Sequence, residues 1–317
     1  MFVAGAGAVC YSTFFSVNFI HKAAIMRINQ RTGGGTVGVA GMLFAAAMLG
    51  CSAPSDATPA GHDHSVKSEA TRSPHAGHGG RAPQSEGHAH TLQVTTPGGR
   101  PSAERSLELQ LKILGEDGKP LTDFEVVHEK PLHLILVRDG LDQFFHIHPS
   151  LDAHGVATAT FTFPLGGKWR LFADHTARGH GEAAPTAVID VSGDDPPAPA
   201  LAPTHGRAQG DGLDADVGVA QSPDGREATL TFNLVGADGR PAVGMEPYLG
   251  AGGHLVVLSA DGVQFIHTHP KEAGASARVE FAAHLPGPGL YKAWGQFKQG
   301  GEVRTIPVVF TIESQHP

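Results

Sequence analysis

Six histidines occur in two sets of three, and the two sets have the same spacing. They are His133, His146 and His148 in the first set and His254, His267 and His269 in the second. The chain around the first set, residues 109–149, matches residues 230–270 without a gap. A repeat of this length indicates two copies of one domain, because solenoid units are about 20 to 50 residues long. Imidazole nitrogen is a common ligand of transition metals, so these sets are the first candidates for chemistry.

The spacing predicts that the three histidines of a set lie on one face of a β-hairpin. In the first copy an apolar strand follows His133, and a return strand carries His146 and His148. Residues an odd distance apart face each other across a hairpin with an even loop, so His133 can lie opposite His146 with Cβ atoms about 5 Å apart. His148 is two residues further along and therefore on the same face. All three imidazoles can converge, and the second copy repeats the pattern.

Further candidate ligands lie near the two sets. Asp174 follows a predicted strand in the first copy, and Gln296 stands at its place in the second copy, so the first site should be the tighter one. Glu125 and Glu246 correspond to each other and are possible accessory ligands. His128 is a further accessory candidate, and it occurs in the first copy alone.

The kind of metal follows from which ligands the repeats lack. Both cysteines, Cys10 and Cys51, precede the repeats, and Met245 is the only methionine beyond residue 51. A thiolate zinc site, a blue-copper site and a thioether copper(I) site are therefore excluded from the repeats. Imidazole with an optional carboxylate suits Cu(II) or Zn(II), which are the cofactors that we predict.

Three other interpretations remain open. The histidines could be a purely structural cluster, although such a cluster would destabilise the fold below about pH 6.5 unless it binds something. A cupin-like metalloenzyme is suggested by residues 140–148 with Asp152, but the second cupin motif is missing. A metal-free interaction module of the cell envelope would present apolar residues at its surface; the candidates are Phe144, Phe145, Phe265 and Ile266. Because no nucleophile signature is present, we predict a binding protein and not an enzyme.

The amino terminus, residues 1–50, is typical of a secretory targeting segment. From Met26, which we take as the true start, a basic stretch leads into an apolar run at residues 37–49. About 13 apolar residues are too few for a membrane span, which needs about 20. Cys51 follows Gly50 as in a bacterial lipoprotein signal, and we predict that it is lipidated. The protein should then be exported and anchored in the membrane, in the periplasm or at the cell surface, where envelope metal-transport components are possible partners.

Residues 51–91 are rich in Ala, Ser, Pro, Gly and His, with almost no large apolar side chain. Such a segment is predicted to be a disordered tether, because it cannot bury enough surface to offset its ordering entropy. Its histidine clusters are typical of weak metal binding. The histidines are His62, His64, His75, His78, His88 and His90. The net charge of −8 and the absence of a dense Lys/Arg cluster argue against nucleic acid as a partner.

The remaining chain predicts an all-β fold of two tandem immunoglobulin-like or cupredoxin-like β-sandwich domains. Short alternating strands and turn dipeptides recur about every ten residues, and no segment has a long helical period. We place the first domain at residues 92–193 and the second at residues 213–317. Residues 194–212 are Pro-rich and are predicted to form a semi-extended linker.

At its repeated motifs the chain resembles a largely uncharacterised bacterial family of secreted or lipid-anchored proteins. The motifs are His133-Leu134 with Phe145-His146-Ile147-His148-Pro149 in copy one, and His254-Leu255 with His267-Thr268-His269-Pro270 in copy two. The resemblance covers residues 105–312. It implies an envelope β-sandwich associated with metal handling, and it implies no established activity.

Overall fold

The computed structural model describes residues 90–270, 272 and 274–314. Within these residues all the regular secondary structure is β-strand, and no helix is long and apolar enough to cross a membrane. The all-β fold class predicted from the sequence is confirmed. The predicted targeting segment, Cys51 and the predicted tether up to residue 89 lie outside the described residues.

The first repeat is a sandwich of two antiparallel sheets. Its strands are β1 (Thr91–Thr95), β2 (Ser106–Leu114), β3 (His133–Arg138), β4 (Phe144–Ile147), β5 (Ser150–Leu151), β6 (Val156–Thr162), β7 (Gly167–Ala177), β8 (Gly181–Ala183) and β9 (Thr186–Val191). One sheet has the order β1-β2-β6-β5, and we call it the outer sheet. The other, which we call the inner sheet, has the order β4-β3-β7-β8, with β9 also paired to β7.

The second repeat has the same two-sheet construction. Its strands are β10 (Arg207–Ala208), β11 (Asp214–Gln221), β12 (Glu227–Val235), β13 (Met245–Glu246), β14 (His254–Ser259), β15 (Phe265–Thr268), β16 (Arg278–His284), β17 (Gly289–Gln299) and β18 (Glu302–Ile312). The outer sheet has the order β10-β11-β12-β16. The inner sheet has the order β13-β17-β14-β15, with β18 paired to β17.

Each sandwich has its own hydrophobic core between its outer and inner sheets. In the first repeat Leu109 and Leu111 of β2 face Leu134 and Leu136 of β3, and all four are fully buried. The second repeat has the equivalent core around Phe232. Apolar and polar residues alternate along β2 and β12 because one face of each strand is buried and the other is solvated, as the sequence predicts.

A third apolar cluster joins the two repeats. Its members come from both inner sheets: Ile135, Val137, Leu141 and Phe172 from the first, and Val256, Leu258, Phe265 and Trp294 from the second. The inner sheets therefore pack face to face, and β3 and the first five residues of β14 are buried on both faces. This burial explains their unbroken apolar runs, because a strand covered on both sides does not need polar alternation.

Two aromatic stacks show that the repeats are related by an approximate two-fold arrangement. Phe144 of the first repeat stacks on Trp294 of the second, with ring centroids 4.7 Å apart. Reciprocally, Phe265 of the second repeat stacks on Phe172 of the first at 4.6 Å. Stacked pairs of this kind contribute about 0.5–1.5 kcal/mol beyond the area they bury. The interface is therefore self-complementary, as in a C2 dimer built within one chain.

The segment predicted as a linker, residues 194–212, contacts both repeats. Asp195 forms an ion pair with Arg138 of the first inner sheet. Leu201 packs against the cluster that joins the repeats, and the Thr204 N–H donates to the Val309 carbonyl of β18 at 2.8 Å. The last residues of the segment include β10. Both repeats consequently fall in one compact unit of the chain.

Candidate metal centre

Both histidine sets lie where an inner-sheet hairpin reaches the interface between the repeats. β3 and β4 pair in a register that sets Ile135 opposite His146. By the same register His133 lies opposite His148, and not opposite His146 as predicted. The hairpin closes with a four-residue loop, because the Arg138 N–H bonds the Gln143 carbonyl, whereas the predicted pairing needs a loop of two. Both spacings are odd, so the three histidines still share one face.

The first trio, His133, His146 and His148, is compact. Its ring centroids are 4.8–5.2 Å apart. One ligand nitrogen from each residue lies within 4.8 Å of the other two. His133 Nδ1 and His146 Nε2 are 3.0 Å apart. Two nitrogens on one tetrahedral zinc are about 3.3 Å apart, given Zn–N bonds of about 2.0–2.1 Å. Small side-chain shifts would therefore bring the trio around one ion.

The hydrogen bonds of the first trio leave ring lone pairs facing one another. His133 Nε2 donates to the Val127 carbonyl at 3.1 Å, and His146 Nδ1 donates to the Gln296 Oε1 at 2.7 Å. The Gln296 amide nitrogen meets the Thr305 hydroxyl at 3.4 Å, which fixes the oxygen towards His146. A neutral imidazole has one N–H, so His133 Nδ1 and His146 Nε2 meet as two acceptors. A cation between them would remove this conflict.

In the second trio, His254, His267 and His269, two rings likewise donate their outer N–H groups to hydrogen-bond acceptors. His254 Nε2 donates to the Tyr248 carbonyl at 3.0 Å, and His267 Nδ1 donates to the Asp174 carboxylate at 2.6 Å. The inner atoms, His254 Nδ1 and His267 Nε2, lie 3.3 Å apart. Carbonyl and carboxylate acceptors that fix the ring tautomer in this way are typical of the surroundings of metal-bound histidines.

The third histidine of each trio has a buried nitrogen with no hydrogen-bond partner among the described residues. These atoms are His148 Nε2 and His269 Nε2. Buried polar atoms are nearly always paired, because leaving one unpaired costs about 1–3 kcal/mol. Because the two atoms occupy the same position in both trios, they are suited to bind a metal ion.

Burial lowers the pKa values of five histidines in the two trios and so favours their neutral form. It lowers the pKa of His133 to about 3, with a further decrease from His267, and it lowers the pKa of His148 to about 4. The pKa values of His146, His254 and His269 are also lowered well below the usual value, again mainly by burial. Neutral imidazole is the form that binds metal, so the fold prepares these ligands in advance.

The two trios adjoin each other across the interface between the repeats. The His146 and His267 ring centroids are 5.2 Å apart, and those of His133 and His267 are 5.4 Å apart. The six imidazoles consequently form one centre, which we call the histidine centre. The sequence predicts two trios, but their contact depends on the packing of the two inner sheets, which no spacing encodes.

Asp174, which the sequence predicts as a ligand of the first site, contacts the trio of the other repeat. It lies opposite His133 in the β3–β7 ladder, but its carboxylate accepts the His267 Nδ1–H across the interface. Gln296 makes the reciprocal contact with His146. A carboxylate behind a ligand histidine increases its basicity more than an amide does. Asp174 therefore lies behind a histidine of the second trio, and the amide of Gln296 lies behind one of the first.

The carboxyl of Asp174 remains ionised although it is buried. Burial by itself would raise its pKa, but the hydrogen bond from His267 and the nearby His133 and His175 lower it below the usual value. An ionised carboxylate is an acceptor only, so the proton of this contact stays on His267 Nδ1.

His128, predicted as an accessory ligand in the first copy, lies at the second trio. Its ring stacks on His269 with centroids 3.5 Å apart and meets His254 edge-on at 5.4 Å. Ligand nitrogens of His128, His254 and His269 all lie within 4.8 Å of one another. The second close group thus contains His128 of the first repeat where the sequence predicts His267, a consequence of the face-to-face packing.

The predicted accessory carboxylates make other contacts. Glu125 lies 3.7 Å from the Arg178 guanidinium, and Glu246 accepts the Gly301 N–H at 2.8 Å. Asp152, the acidic residue of the cupin-like motif, accepts the backbone N–H groups of His154 and Val156 and closes a turn. None of these three carboxylates contacts a described histidine of the centre.

The predicted tether histidines up to His88 lie outside the described residues. His90, the last of them, is described. Its Nδ1 is 3.0 Å from Nε2 of His175, whose own Nδ1 donates to the Ala173 carbonyl. Burial lowers the pKa of His175 to about 4. His175 neighbours Asp174 on β7 and so projects to the opposite face of the inner sheet, away from the histidine centre.

The apolar residues suggested for an exposed interaction surface are packed within the protein. Phe144 and Phe265 stack in the interface between the repeats. Phe145 packs against the first core, and Ile266 is fully buried in the second. Phe265 and Ile266 are therefore buried, and Phe144 and Phe145 are half-buried.

Sequence reasoning missed the residues that orient the histidines. Val127 and Tyr248 act through their backbone carbonyls, and Gln296 acts through its amide oxygen, whereas the sequence marks it only as the counterpart of Asp174. A backbone acceptor has no sequence signal. The one usable signal is the correspondence of Asp174 with Gln296 on β7 and β17, the strands that pair with β3 and β14.

The fold and the site define a tandem β-sandwich protein with a buried histidine centre between its repeats. Two segments, residues 87–193 and 208–314, match the family described as Domain of unknown function (DUF8832), and the chain belongs to it. The two matches confirm the tandem repeat. No curated protein sequence matches the chain.

Several solved structures are similar to this chain at low sequence identity and low TM-score. A two-domain fibronectin type-III segment of chicken tenascin is 9% identical with a TM-score of 0.22, over 70% of this chain and 99% of that one. Red sea bream transglutaminase is 13% identical with a TM-score of 0.22, over 71% of this chain and 31% of that one. The FN1–FN3 domains of chicken CNTN1 are 11% identical with a TM-score of 0.20, over 71% and 67%. These values carry no functional information.

Proposed function

We propose that the protein binds a transition metal, Cu(II) or Zn(II), in its histidine centre, with one ion per trio. It acts as a binding protein of the cell envelope that scavenges, buffers or delivers the metal, and it is not an enzyme. The lipid anchor at Cys51 and the histidine-rich segment before the repeats are parts of the same proposal, since a tethered protein with weak outer sites can collect metal for stronger inner ones.

One observation carries the proposal: within the first trio two neutral imidazoles face each other through lone pairs. His133 and His146 each donate their single N–H to an acceptor outside the trio. The remaining nitrogens, His133 Nδ1 and His146 Nε2, are 3.0 Å apart. In a purely structural cluster one ring would turn its N–H towards the other. Two acceptors this close destabilise the protein without metal. An ion that accepts both lone pairs removes this unfavourable contact.

The choice of metal follows from the ligand set. All candidate first ligands are imidazoles, and Met245 lies on β13 against the second core, away from the histidine centre. Imidazole sites without sulfur favour Cu(II) and Zn(II) over Cu(I). Calcium and magnesium are unsuited because they require oxygen ligands.

Loss of one trio should remove one tightly bound ion and leave the other. We expect the variant His146→Ala/His148→Ala of the full chain to bind one equivalent of Cu(II) or Zn(II) fewer than the wild type in calorimetry. His267→Ala/His269→Ala should also lose one, and the combined variant should lose two. The exposed His154 provides the matched control, and His154→Ala should retain the wild-type stoichiometry. Equal stoichiometry in all variants would identify the trios as structural.

A further inference from the structure

We propose that the two metal sites are unequal: His128 closes the second site as a fourth histidine, whereas the first site keeps an open coordination position. The open position would take water or a small anion, or the incoming ligand of a partner to which metal is transferred. This inference rests on the proposed metal binding and adds to it which site can exchange its ligand.

The closing histidine comes from the opposite repeat. The His128 ring lies 3.5 Å from that of His269 and 5.4 Å from that of His254, measured between centroids. Their ligand nitrogens lie within 4.8 Å of one another, and His267 Nε2 lies 3.3 Å from His254 Nδ1. The close group thus contains His128, His254 and His269, and His267 adjoins it through His254. The stacked His128 ring must rotate to direct a lone pair at an ion shared with His269.

A backbone turn holds His128 in place. Val127 and Lys130 exchange N–H···O bonds of 3.0 and 3.2 Å, and His128 within the turn has a left-handed φ of 49°. The Val127 carbonyl in this turn is also the acceptor of His133. One turn of the first repeat therefore orients a ligand of the first trio and supplies a ligand to the second.

The second repeat has the same turn with a different side chain. Tyr248 and Ala251 exchange N–H···O bonds of 2.8 and 3.1 Å, and the intervening Leu249 has the same φ of 49°. The Tyr248 carbonyl accepts from His254, as that of Val127 does from His133. The backbone is conserved between the repeats, so the difference lies in the side chain, and leucine has no metal ligand.

The difference in ligand number has a known chemical meaning. Zinc with four protein ligands is closed and holds no exchangeable water, whereas three histidines leave a fourth position for water or another small ligand. Within the described residues the group around His133 contains histidines of the first repeat alone, whereas the group around His254 includes His128 from the opposite repeat. The first site is thus the one at which a metal could be taken up, released or bound by an anion.

Reciprocal exchange of the two turn residues tests this inference. Co(II) replaces Zn(II) as a visible probe in the full chain, excess Co(II) is removed by gel filtration, and azide is titrated as a small anion. In the wild type, azide should change the visible spectrum of one of the two bound Co(II) ions. In His128→Leu it should change both, and in Leu249→His it should change neither. The His-rich segment is present in all three proteins and cancels in the difference spectra.

The outcomes separate this inference from the proposed function. Retention of no more Co(II) than in the variant lacking His146, His148, His267 and His269 would overturn metal binding itself. Two retained ions that respond equally to azide in the wild type, or an unchanged response in His128→Leu, would overturn the inequality alone. Should Leu249→His fail to fold, His128→Leu decides the question, because it only removes ligand atoms from an otherwise unchanged turn.

Discussion

The two repeats carry the same trio on the same hairpin, yet the surroundings of each trio belong to the other repeat. Asp174 of the first repeat supports His267 of the second, and Gln296 of the second supports His146 of the first. His128 likewise lies at the trio of its neighbour. A duplicated domain that closes on itself can therefore diversify two sites by single substitutions, since each change acts across the interface. A variant at Asp174, Gln296 or His128 should therefore affect the trio of the repeat that does not contain it.

Acid should produce the largest difference between the metal-free and the loaded protein. An unfolded histidine titrates near pH 6.5, whereas the folded pKa is about 3 for His133 and about 4 for His148. Burial is the main cause for both. His267 lowers the His133 pKa further, Asp174 opposes it, and Lys130 lowers that of His148. Below pH 6.5 the unfolded chain binds protons that the folded chain does not.

The stability contributed by these groups is thus complete above pH 6.5 and is lost progressively towards pH 4. Each unit of pKa shift corresponds to about 1.4 kcal/mol, so the metal-free protein should lose several kcal/mol. We expect its thermal unfolding midpoint to fall steeply between pH 7 and pH 4.5, and bound Cu(II) or Zn(II) to delay that fall. A metal-free midpoint that is unchanged over this range would contradict neutral, buried histidines.

The apolar part of the interface should give the next largest effect. Trp294 is 4% exposed and stacks on Phe144 of the other repeat. Removing a buried aromatic side chain costs about 3–5 kcal/mol, so Trp294→Ala should lower the free energy of unfolding by that amount in urea titration. Phe172→Ala, the equivalent change in the first repeat, should cost a similar amount. Val126 is 66% exposed, and Val126→Ala should stay within about 0.5 kcal/mol of the wild type.

Much of this fold could be predicted from the sequence because it depends on local patterns. The alternation of β2, the turn dipeptides and the duplicated motif predict two β-sandwiches with trios on hairpins. The unbroken apolar run of β3 also indicates a strand that is buried on both faces. What covers the second face could not be predicted, because face-to-face packing of two inner sheets depends on contacts between distant residues.

The same limit applies to the histidine centre. The six histidines could be identified from their spacing, but the role of Asp174 could not. Its position in the ladder beside His133 predicts a ligand of the first trio, and only the opposite repeat places His267 within 2.6 Å of it. Sequence position thus assigns a residue to a strand, while the partner of its side chain is decided by packing between repeats.

Removing the Asp174 charge should weaken the second site. We expect Asp174→Asn to lower metal affinity there by about 10- to 100-fold, the usual effect of losing a partner behind a ligand histidine. Calorimetry in the His146→Ala/His148→Ala background isolates the second site. The asparagine keeps the shape and an acceptor oxygen for His267, so the change tests charge. A loss confined to the first site, measured in the His267→Ala/His269→Ala background, would instead make Asp174 a ligand of its own repeat.

The reverse exchange should strengthen the first site by a smaller factor. Gln296→Glu places a carboxylate behind His146, where the amide oxygen now accepts at 2.7 Å. The second carboxylate oxygen can accept from the Thr305 hydroxyl, so the contact made by the amide nitrogen at 3.4 Å has a replacement. In the metal-free protein the new charge is buried and unfavourable, which limits the gain; bound metal compensates it. We expect about a tenfold higher affinity of the first site in the His267→Ala/His269→Ala background. Together with Asp174→Asn, this variant should reverse the order of the two sites, and an unchanged order would show that the carboxylate does not set it.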